Sequence, residues 1–250
     1  LFCLYMDYEF YYTRREVLED VAREMQNLIL PINPEDELDI LNVSLPPRTG
    51  KSYLATLICG WGLGRFPAES IMRNTVTSAL SDKFHGDLIK IFDGEVSEGK
   101  YTEVFRTNTK KKSVNGIALD GAKQGISYFG AGCGGAIIGF GASLLSIIDD
   151  SVKNEEEALS ELQMDKKWGW YTSTVDSREE QGCKKLFIGT RWSNRDIVGR
   201  LKSHNIFKGE RTKDITISAL NEDNESYCED FHTTKSLLQK KLITDELIWE

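Results

Sequence analysis

One stretch, Leu41 to Ile58, constrains the fold more than any other: an apolar run, a turn rich in Pro and Gly, and then an apolar helical pattern. The turn ends in Gly50-Lys51-Ser52. A buried strand that leads through such a turn into a helix points backbone N–H groups and the positive helix N-terminus at one place. A nucleotide phosphate would bind there, with Lys51 at the β and γ phosphates and the Ser52 hydroxyl on Mg²⁺.

The turn departs from the common phosphate-loop pattern, which has a Gly six residues before the Lys. Leu45 stands at that position and is followed by Pro46, Pro47 and Arg48. The alternative interpretation is an ordinary Pro-Pro turn that precedes a helix. The rest of the chain must decide between the two.

A second stretch, Ser143 to Asp150, runs through Leu and Ile residues into two adjacent carboxylates. Buried parallel strands end in this way at the carboxyl edge of a sheet, where α/β proteins bind ligands. Asp149 would hold Mg²⁺ through water, and Asp150 would orient and deprotonate the attacking water. Alternatively Asp150 only caps a turn, but a buried carboxylate pair is costly without a cation.

The order of the remaining patterns predicts an α/β fold with a mainly parallel central sheet flanked by helices. Strands are predicted over 40–45, 70–78, 143–148, 184–189 and 215–220. Helices are predicted over 17–29, from Lys51 to about Gly64, and over 79–92, 155–171, 194–201 and 234–242. Short antiparallel strands at the sheet edge are predicted over 116–135.

Composition narrows the class of protein. The 250 residues carry 31 Lys and Arg against 39 Asp and Glu, and the net charge of −8 argues against a stand-alone DNA-binding domain. The run Lys110-Lys111-Lys112 is either a solvated face or a local nucleic-acid contact. Five cysteines without a C-x-x-C pair indicate reduced thiols in a cytosolic protein. No apolar run reaches membrane-spanning length, so we expect no membrane contact.

Three further positions are candidates for nucleotide contacts. Tyr12 and Arg14 precede the phosphate loop and could hold an adenine by stacking and hydrogen bonds, or could instead pack into the core. Thr190 follows the strand over 184–189 and could sense loss of the γ-phosphate. Arg191 and Arg195 either join this sensor or form ordinary surface ion pairs.

Three segments together resemble the large terminase subunit of tailed bacteriophages: residues 45–52, 147–154 and 188–201, in that order. Enzymes of this family are ATP-driven motors that push viral DNA through the portal into an empty capsid. Their N-terminal ATPase region, a P-loop NTPase of the ASCE type, is followed by an RNase H-like nuclease. The resemblance covers nearly the whole chain.

The resemblance implies roles for individual residues. Residues Pro47, Arg48, Thr49, Gly50, Lys51, Ser52 and Tyr53 resemble the nucleotide-binding loop. Arg48 matches an additional arginine near the γ-phosphate, and Asp149 matches the Mg²⁺-associated acid. Asp150 falls where many relatives carry a catalytic glutamate, and Thr190 matches the residue that couples hydrolysis to movement. Relatives often have a basic residue and an acid where Phe140 and Ser143 stand, so no arginine finger is assigned.

The resemblance also implies organisation and partners. We expect an ATPase domain over 1–208 and a small linker or lid subdomain over 209–250, in a fragment that begins at Leu1 and lacks the nuclease and its activity. ATP and Mg²⁺ are the expected cofactors. The expected partners are double-stranded DNA, the portal protein, the small terminase subunit and further copies in a ring on the capsid, with a monomer in isolation. The expected location is the host cytoplasm and not the mature virion.

Three functions are compatible with these patterns. The first is ATP hydrolysis by the DNA-packaging motor. The second is a helicase-like ATPase stimulated by nucleic acid, which the negative net charge disfavours. The third is a nucleotide-binding docking module with little hydrolysis, for which the departures at Leu45, Phe140 and Asp150 would be the reason.

Overall fold

A single eight-stranded sheet forms the centre of the computed structural model, which describes residues 1–94, 99–105, 107, 109–113, 116–123, 125–135, 137, 139–203 and 209–243. The strands are β1 (Ile40–Ser44), β2 (Ile71–Thr75), β3 (Thr109–Lys112), β4 (Gly116–Leu119), β5 (Tyr128–Gly132), β6 (Leu145–Asp149), β7 (Lys184–Gly189) and β8 (Thr212–Thr216). Their order in the sheet is β3-β4-β5-β2-β6-β7-β1-β8.

Parallel pairing joins β5, β2, β6, β7, β1 and β8, while β4 pairs antiparallel with both β3 and β5. The predicted α/β fold with a mainly parallel sheet is therefore confirmed. The carboxyl ends of β1, β6 and β7 meet at one edge of the sheet, because Ser44 lies opposite Gly189 and Asp149 lies opposite Ile188.

Helices cover both faces of the sheet. They are α1 (Phe2–Met6), α2 (Tyr8–Tyr12), α3 (Arg15–Ile29), α4 (Lys51–Arg65), α5 (Ser78–Phe92), α6 (Lys100–Val104), α7 (Glu155–Leu159), α8 (Glu161–Trp170), α9 (Ile197–Ser203) and α10 (Thr234–Lys241). One face buries Ile147 and Leu186 against α3, α4 and α5, and the other buries Ile148 and Phe187 with Tyr171 and Ile197. The alternation along each strand thus supplies two cores.

Several predicted boundaries were wrong, each for a local reason. The strand predicted over 70–78 ends at Thr75, because the Thr77 side chain caps α5 by accepting from Leu80 N. The helix predicted over 155–171 is broken at Ser160, whose side chain caps α8. The helix predicted over 194–201 begins only at Ile197, after a turn closed by the Asp196 N–H bond to Ser193 O.

Two predicted strands also lie elsewhere. The 116–135 region was predicted to form antiparallel strands at the sheet edge, but β5 lies inside the sheet and pairs parallel with β2. The last strand, predicted over 215–220, is β8 at Thr212–Thr216, and its pairing ends where Ile217 N donates to Ser44 O. Leu220 instead forms a bridge with Ser226. The side chains of Lys111 and Lys112 lie outside the described part of the chain, so the basic run stays a prediction.

Part of the segment after residue 208 belongs to the central sheet and the main core. β8 pairs with β1 along its whole length, and Cys228 lies buried in the main core with its Sγ donating to Thr13 O at 3.5 Å. The division into domains at residue 208 and the role of 209–250 as a linker or lid stay predictions. No helix among the described residues is both long and apolar enough to cross a membrane.

A charge network at the amino ends of β1, β7 and β8 closes this side of the sheet. The Asp39 carboxylate accepts from Arg211 Nε, Nη2 and backbone N at 3.0, 3.0 and 3.1 Å, and from Lys184 Nζ at 2.8 Å. The hydrogen bonds from Arg211, together with those from Lys184, hold the pKa of Asp39 well below its usual range despite partial burial. The network joins β8 to its neighbours.

We expect Asp39→Asn to lower the melting temperature at pH 7 by about 2–4 °C, corresponding to about 1 kcal/mol for a partly exposed network. A depressed folded-state pKa contributes stability above the unfolded-state pKa and loses it as the pH falls towards the folded-state value. The difference between variant and wild type should therefore shrink below about pH 4. Thermal unfolding from pH 2 to 8 would measure this, and a constant difference would contradict it.

Candidate functional site

A cavity of about 500 Å³ opens at the carboxyl edge of the sheet, beside the turn between β1 and α4. It is lined by Phe10, Pro47, Arg48, Gly50, Lys51, Ser52, Tyr53, Val76, Leu80, Lys83, Phe84, Asp150, Val152, Lys153, Thr190 and Trp192. These residues come from stretches far apart in sequence. The volume lies in the range of small-molecule sites.

The turn wraps the N-terminus of α4 without the usual first glycine. Leu45 is 2% exposed and belongs to the main core, and its carbonyl oxygen accepts from Lys51 Nζ at 3.2 Å. Left-handed backbone occurs instead at Arg48 (φ 66°) and Gly50 (φ 95°). A Cβ at Gly50 would lie 2.5 Å from the Phe10 ring, so glycine is required there and the loop closes against α2.

Lys51 and Thr190 join the loop to the tip of β7. Lys51 is 6% exposed, and its Nζ donates to Thr190 Oγ1 at 3.4 Å. Thr190 N in turn donates to Asp150 Oδ1 at 3.1 Å. The predicted phosphate lysine, sensor and base therefore form one chain of contacts, and a group bound at Lys51 would lie beside all three.

Asp150 occupies a constrained position directly after β6. Its backbone has φ 49°, and a Cβ on Gly189 would lie 2.9 Å from Asp150 Oδ1. Burial raises the pKa of the Asp150 carboxyl group above the usual range of an aspartate, while Lys51 opposes this shift and Asp149 adds to it. Such a carboxylate is a stronger base than an exposed one and suits proton abstraction from water.

Ser52 and Asp149 form a pair of oxygen groups that fits a magnesium ion bound with phosphates. Ser52 Oγ donates to Asp149 Oδ1 at 3.0 Å, and the Asp149 side chain is fully buried. Mg²⁺ takes oxygen ligands and is commonly held by one or two protein groups together with substrate phosphates and waters. No cluster of three or more His, Cys, Asp or Glu suited to a metal occurs in the described residues.

A buried arginine that sequence reasoning missed contacts this pair. Arg73 on β2 forms an ion pair with Asp149, and its Nη2 also donates to Ser52 O at 2.8 Å. Although burial lowers it, the pKa of Arg73 is raised by the Asp149 carboxylate and neighbouring groups. Arg73 lies in the strand predicted over 70–78, and nothing in the sequence of that strand indicates that its one cation is buried and paired with Asp149.

Positive side chains predominate around the cavity. Besides Lys51, it is lined by Arg48, Lys83 and Lys153, while Asp150 is the carboxylate among its lining residues. Lys83 is paired with Asp87 at 2.8 Å, but Arg48 and Lys153 make no hydrogen bond or ion pair through their side chains to any residue that the structure describes. A polyanion such as a triphosphate complements this lining.

Tyr12 and Arg14, which the sequence suggested for adenine, do not line the cavity. Tyr12 is 46% exposed and stacks on Tyr8, with ring centroids 5.1 Å apart. The Arg14 guanidinium lies between the rings of Phe10 and Phe231, at 4.0 and 3.9 Å, and donates to Phe10 O at 3.0 Å. Tyr12 thus packs on its own helix, and Arg14 packs between α2 and the C-terminal segment.

The other predicted loop residues divide between the cavity and the interior. Pro47 and Tyr53 line the cavity, and the Tyr53 hydroxyl donates to Asp7 at 3.2 Å. Thr49 is 2% exposed and its side chain does not line the cavity. Phe10, which sequence reasoning passed over, stands edge-on to Tyr53 at 5.1 Å and offers the aromatic surface that was expected from Tyr12. The density of aromatics from Tyr5 to Tyr12 was its only signal.

Trp192 and Lys153 were also missed, although both lie in segments singled out from the sequence. Trp192 lines the cavity and packs against the cluster of Val152, Ala158 and Met164, so it connects the end of β7 with α7 and α8. Lys153 follows Asp150 by three residues, and only the fold shows that it faces the cavity.

The two departures from the family pattern have structural explanations. Phe140 is 4% exposed and stacks on Phe129 with centroids 5.2 Å apart, so this position belongs to the core. Ser143 Oγ accepts from Ser70 N at 3.0 Å and so fixes the entry to β2. Arg191 is paired with Asp196 at 2.7 Å and Arg195 with Glu161, as expected of structural or surface ion pairs.

No protein-family model matches the sequence, and no curated protein is significantly similar to it. The crystal structure of the HK97 bacteriophage large terminase is similar, with a TM-score of 0.52 at 15% identity over 78% of this chain and 38% of that one. The large terminase of a thermophilic bacteriophage, solved in complex with ADP, gives a TM-score of 0.49 at 10% identity, over 89% of this chain and 50% of that one.

At such low identity the likeness to the HK97 protein concerns the fold alone. The chain spans only 38% of the HK97 chain and 50% of the thermophilic phage chain, so it corresponds to a part of each. The mainly parallel α/β fold of this chain is therefore similar to the fold of part of the HK97 large terminase.

Proposed function

We propose that this chain is a Mg²⁺-dependent ATPase that drives viral double-stranded DNA into a capsid, as the ATPase part of a large terminase. One observation carries the proposal: Lys51, Ser52, Asp149, Asp150 and Thr190, which lie in three separate stretches of sequence, meet at the edge of the sheet. Each has the chemistry that phosphoryl transfer from ATP to water requires.

The proposed roles follow from the contacts. The phosphates lie on the backbone N–H groups of the loop, at Lys51 and Arg48, since these cations and the N-terminus of α4 surround one end of the cavity. Asp150 orients the attacking water and takes its proton. Ser52 and Asp149 would hold Mg²⁺, which neutralises charge developing on the phosphates. Thr190, bonded to Lys51, loses a neighbour when the γ-phosphate leaves, and this change moves the segment after β8.

The motor function and its partners extend this proposal beyond the site. A fold similar to that of part of the HK97 large terminase supports it, and we infer that double-stranded DNA, the portal protein, the small terminase subunit and further copies of the chain act with it. The negative net charge of −8 favours DNA contact that is shared with such partners over a separate DNA-binding face.

Phosphate release by the purified protein in Mg²⁺ and ATP tests the proposal. We expect turnover that rises steeply with protein concentration, and rises further with portal protein and double-stranded DNA, if neighbouring copies complete the site. Stimulation by single-stranded DNA without any effect of portal would indicate a helicase-like ATPase. Absence of hydrolysis under all of these conditions, with nucleotide still bound, would indicate a docking module.

Lys153 gives a more specific prediction. Lys153→Ala should raise the KM for ATP by about 3- to 10-fold, because an unpaired lysine at a phosphate contributes on the order of 1 kcal/mol in a solvated site. Steady-state hydrolysis and titration with a fluorescent ATP analogue would measure the change. Lys166→Ala, an exposed lysine on α8, is the matched control and should leave KM unchanged. Equal KM values for both variants would remove Lys153 from the site.

A further inference from the structure

A charged side chain lies inside the sheet close to the proposed metal ligands. Arg73 is at the centre of β2, opposite Ile147 of β6, and is only 1% exposed. Arginine is almost never buried to this extent without a partner that compensates its charge. Its surroundings therefore indicate what it does.

The guanidinium binds three elements at once. Nη2 forms the ion pair with Asp149 Oδ2 and donates to Ser52 O at 2.8 Å, Nη1 donates to Thr56 Oγ1 at 2.8 Å, and the group lies 3.8 Å from the centre of the Phe84 ring. It thereby links β6 with the first turns of α4 and with α5. A lysine could supply the charge but not these several donors in a fixed plane.

The contacts divide the Asp149 carboxylate between two partners. Oδ2 is taken by Arg73, and Oδ1 accepts from Ser52 Oγ at 3.0 Å. A fully buried carboxylate without a cation would be costly, and Arg73 is the cation paired with it among the described residues. The arginine therefore satisfies one oxygen and leaves the other turned towards the serine.

We propose that Arg73 is a positioning residue of the metal site, a built-in cation that keeps the Asp149 carboxylate buried and aimed at Ser52 before Mg²⁺ and nucleotide bind. The proposal rests on the proposed function in so far as Ser52 and Asp149 take Mg²⁺. Arg73 touches neither the cavity nor the reacting atoms, so it acts through Asp149.

If the proposal is correct, Arg73 and Mg²⁺ stabilise the folded protein in the same way, because each places a positive charge beside the Asp149 carboxylate. Without Arg73, the Asp149 carboxylate lacks its cation until a metal arrives, so Mg²⁺ should stabilise such a variant more than it stabilises the wild type. A role in packing alone, against Phe84 and Thr56, would give a loss of stability that does not depend on the metal. Thermal unfolding with and without Mg²⁺ separates these two roles.

The experiment compares Arg73→Met with wild type in ADP with EDTA and in ADP with Mg²⁺. In EDTA the melting temperature of the variant should fall by roughly 10 °C, as expected when one partner of a buried pair is removed. Added Mg²⁺ should then raise it by roughly 5 °C more than it raises the wild type. ADP is used so that the result does not depend on hydrolysis.

Lys185→Met is the matched control. Lys185 is a largely buried cation on β7, paired with Glu179 at 3.0 Å, and it lines neither the cavity nor the loop. Its loss should lower the melting temperature equally with and without Mg²⁺. A Mg²⁺-dependent gain in Arg73→Met no larger than in wild type would overturn the proposal.

A second comparison needs no metal and remains informative if Arg73→Met does not fold. Asp149→Asn leaves Arg73 buried without its anion, so adding Arg73→Met to it should raise the melting temperature. A double variant no more stable than Asp149→Asn would overturn the proposal. If ADP and Mg²⁺ leave the wild type unshifted, the proposed nucleotide function fails, while this comparison still tests the pairing of Arg73 with Asp149.

Discussion

Replacing Lys51 by Ala is expected to lower kcat for ATP hydrolysis by at least about 100-fold, because the charge that develops on the phosphates loses its buried cation. Lys51 Nζ already contacts Leu45 O and Thr190 Oγ1, so the ammonium group is held at one place between the loop and β7. Phosphate release at saturating ATP and Mg²⁺ measures the effect.

The fold should survive this change, since the lysine is at the edge of the sheet and its loss removes two hydrogen bonds made by one flexible side chain. Circular dichroism and the melting temperature check this. Lys166→Ala on α8 serves as the control and should keep wild-type turnover. Hydrolysis by Lys51→Ala as fast as that of the wild type would show that the phosphate site has been assigned wrongly.

The parts of the fold that were predicted correctly depend on neighbours along the chain. Apolar runs that end in polar residues located β1, β6 and β7, and helical spacing located α3, α4 and α5, because burial of one face leaves a period in the sequence. Boundaries failed where a single side chain decided them. Thr77 and Ser160 cap helices through one hydrogen bond each, and such a bond does not alter the periodic pattern.

The candidate site was predictable as far as its residues lie at strand ends. The carboxyl ends of parallel strands meet at one edge, so the loop, Asp149-Asp150 and Thr190 had to come together once the sheet was parallel. Arg73 and Lys153 could not be found in this way. Their roles depend on partners far away in sequence, such as Asp149 for Arg73, and on the packing of the elements that carry them.

The aromatic residues near the loop also show that the sequence can locate a segment without showing which of its side chains faces the site. The sequence selected Tyr12 from the aromatic residues of the 5–12 stretch as a nucleotide contact, but it is Phe10 that lines the cavity. Phe10 faces Gly50 and the cavity, whereas Tyr12 points outwards, because α2 presents only one of its faces to the loop. Which aromatic ring faces the cavity depends on the rotation of α2 about its axis, and the sequence does not reveal this rotation because Tyr8, Phe10, Tyr11 and Tyr12 are all aromatic.

The loop itself shows how the missing glycine is accommodated. Leu45 extends β1 into the core, so the left-handed turn is made later, at Arg48 and Gly50. Arginine in this backbone conformation is unfavourable by about 1 kcal/mol or more, and such strain persists where the surroundings determine it. The strained turn places the Arg48 side chain at the cavity, where an ordinary glycine loop would place none.

Asp150→Asn is expected to lower kcat by about 100-fold or more and to leave nucleotide affinity within about threefold, because it removes a general base and little else. Asparagine tolerates the left-handed backbone of this position, and its amide oxygen can still accept from Thr190 N. The substitution therefore preserves the shape of the site. Single-turnover hydrolysis and binding of an ATP analogue measure the two effects separately.

Stability gives an independent test of the same residue. Because burial raises the pKa of Asp150, the ionised carboxylate destabilises the folded state at neutral pH, and this cost disappears below the unfolded-state pKa. Asp150→Asn should therefore have a melting temperature at least as high as that of the wild type at pH 7, and no higher than that of the wild type at acidic pH. Asp223→Asn, which changes an exposed carboxylate, is the control and should change neither turnover nor melting temperature. Wild-type turnover in Asp150→Asn, or a lower melting temperature at pH 7, would mean that this carboxylate is a structural anion and not the base.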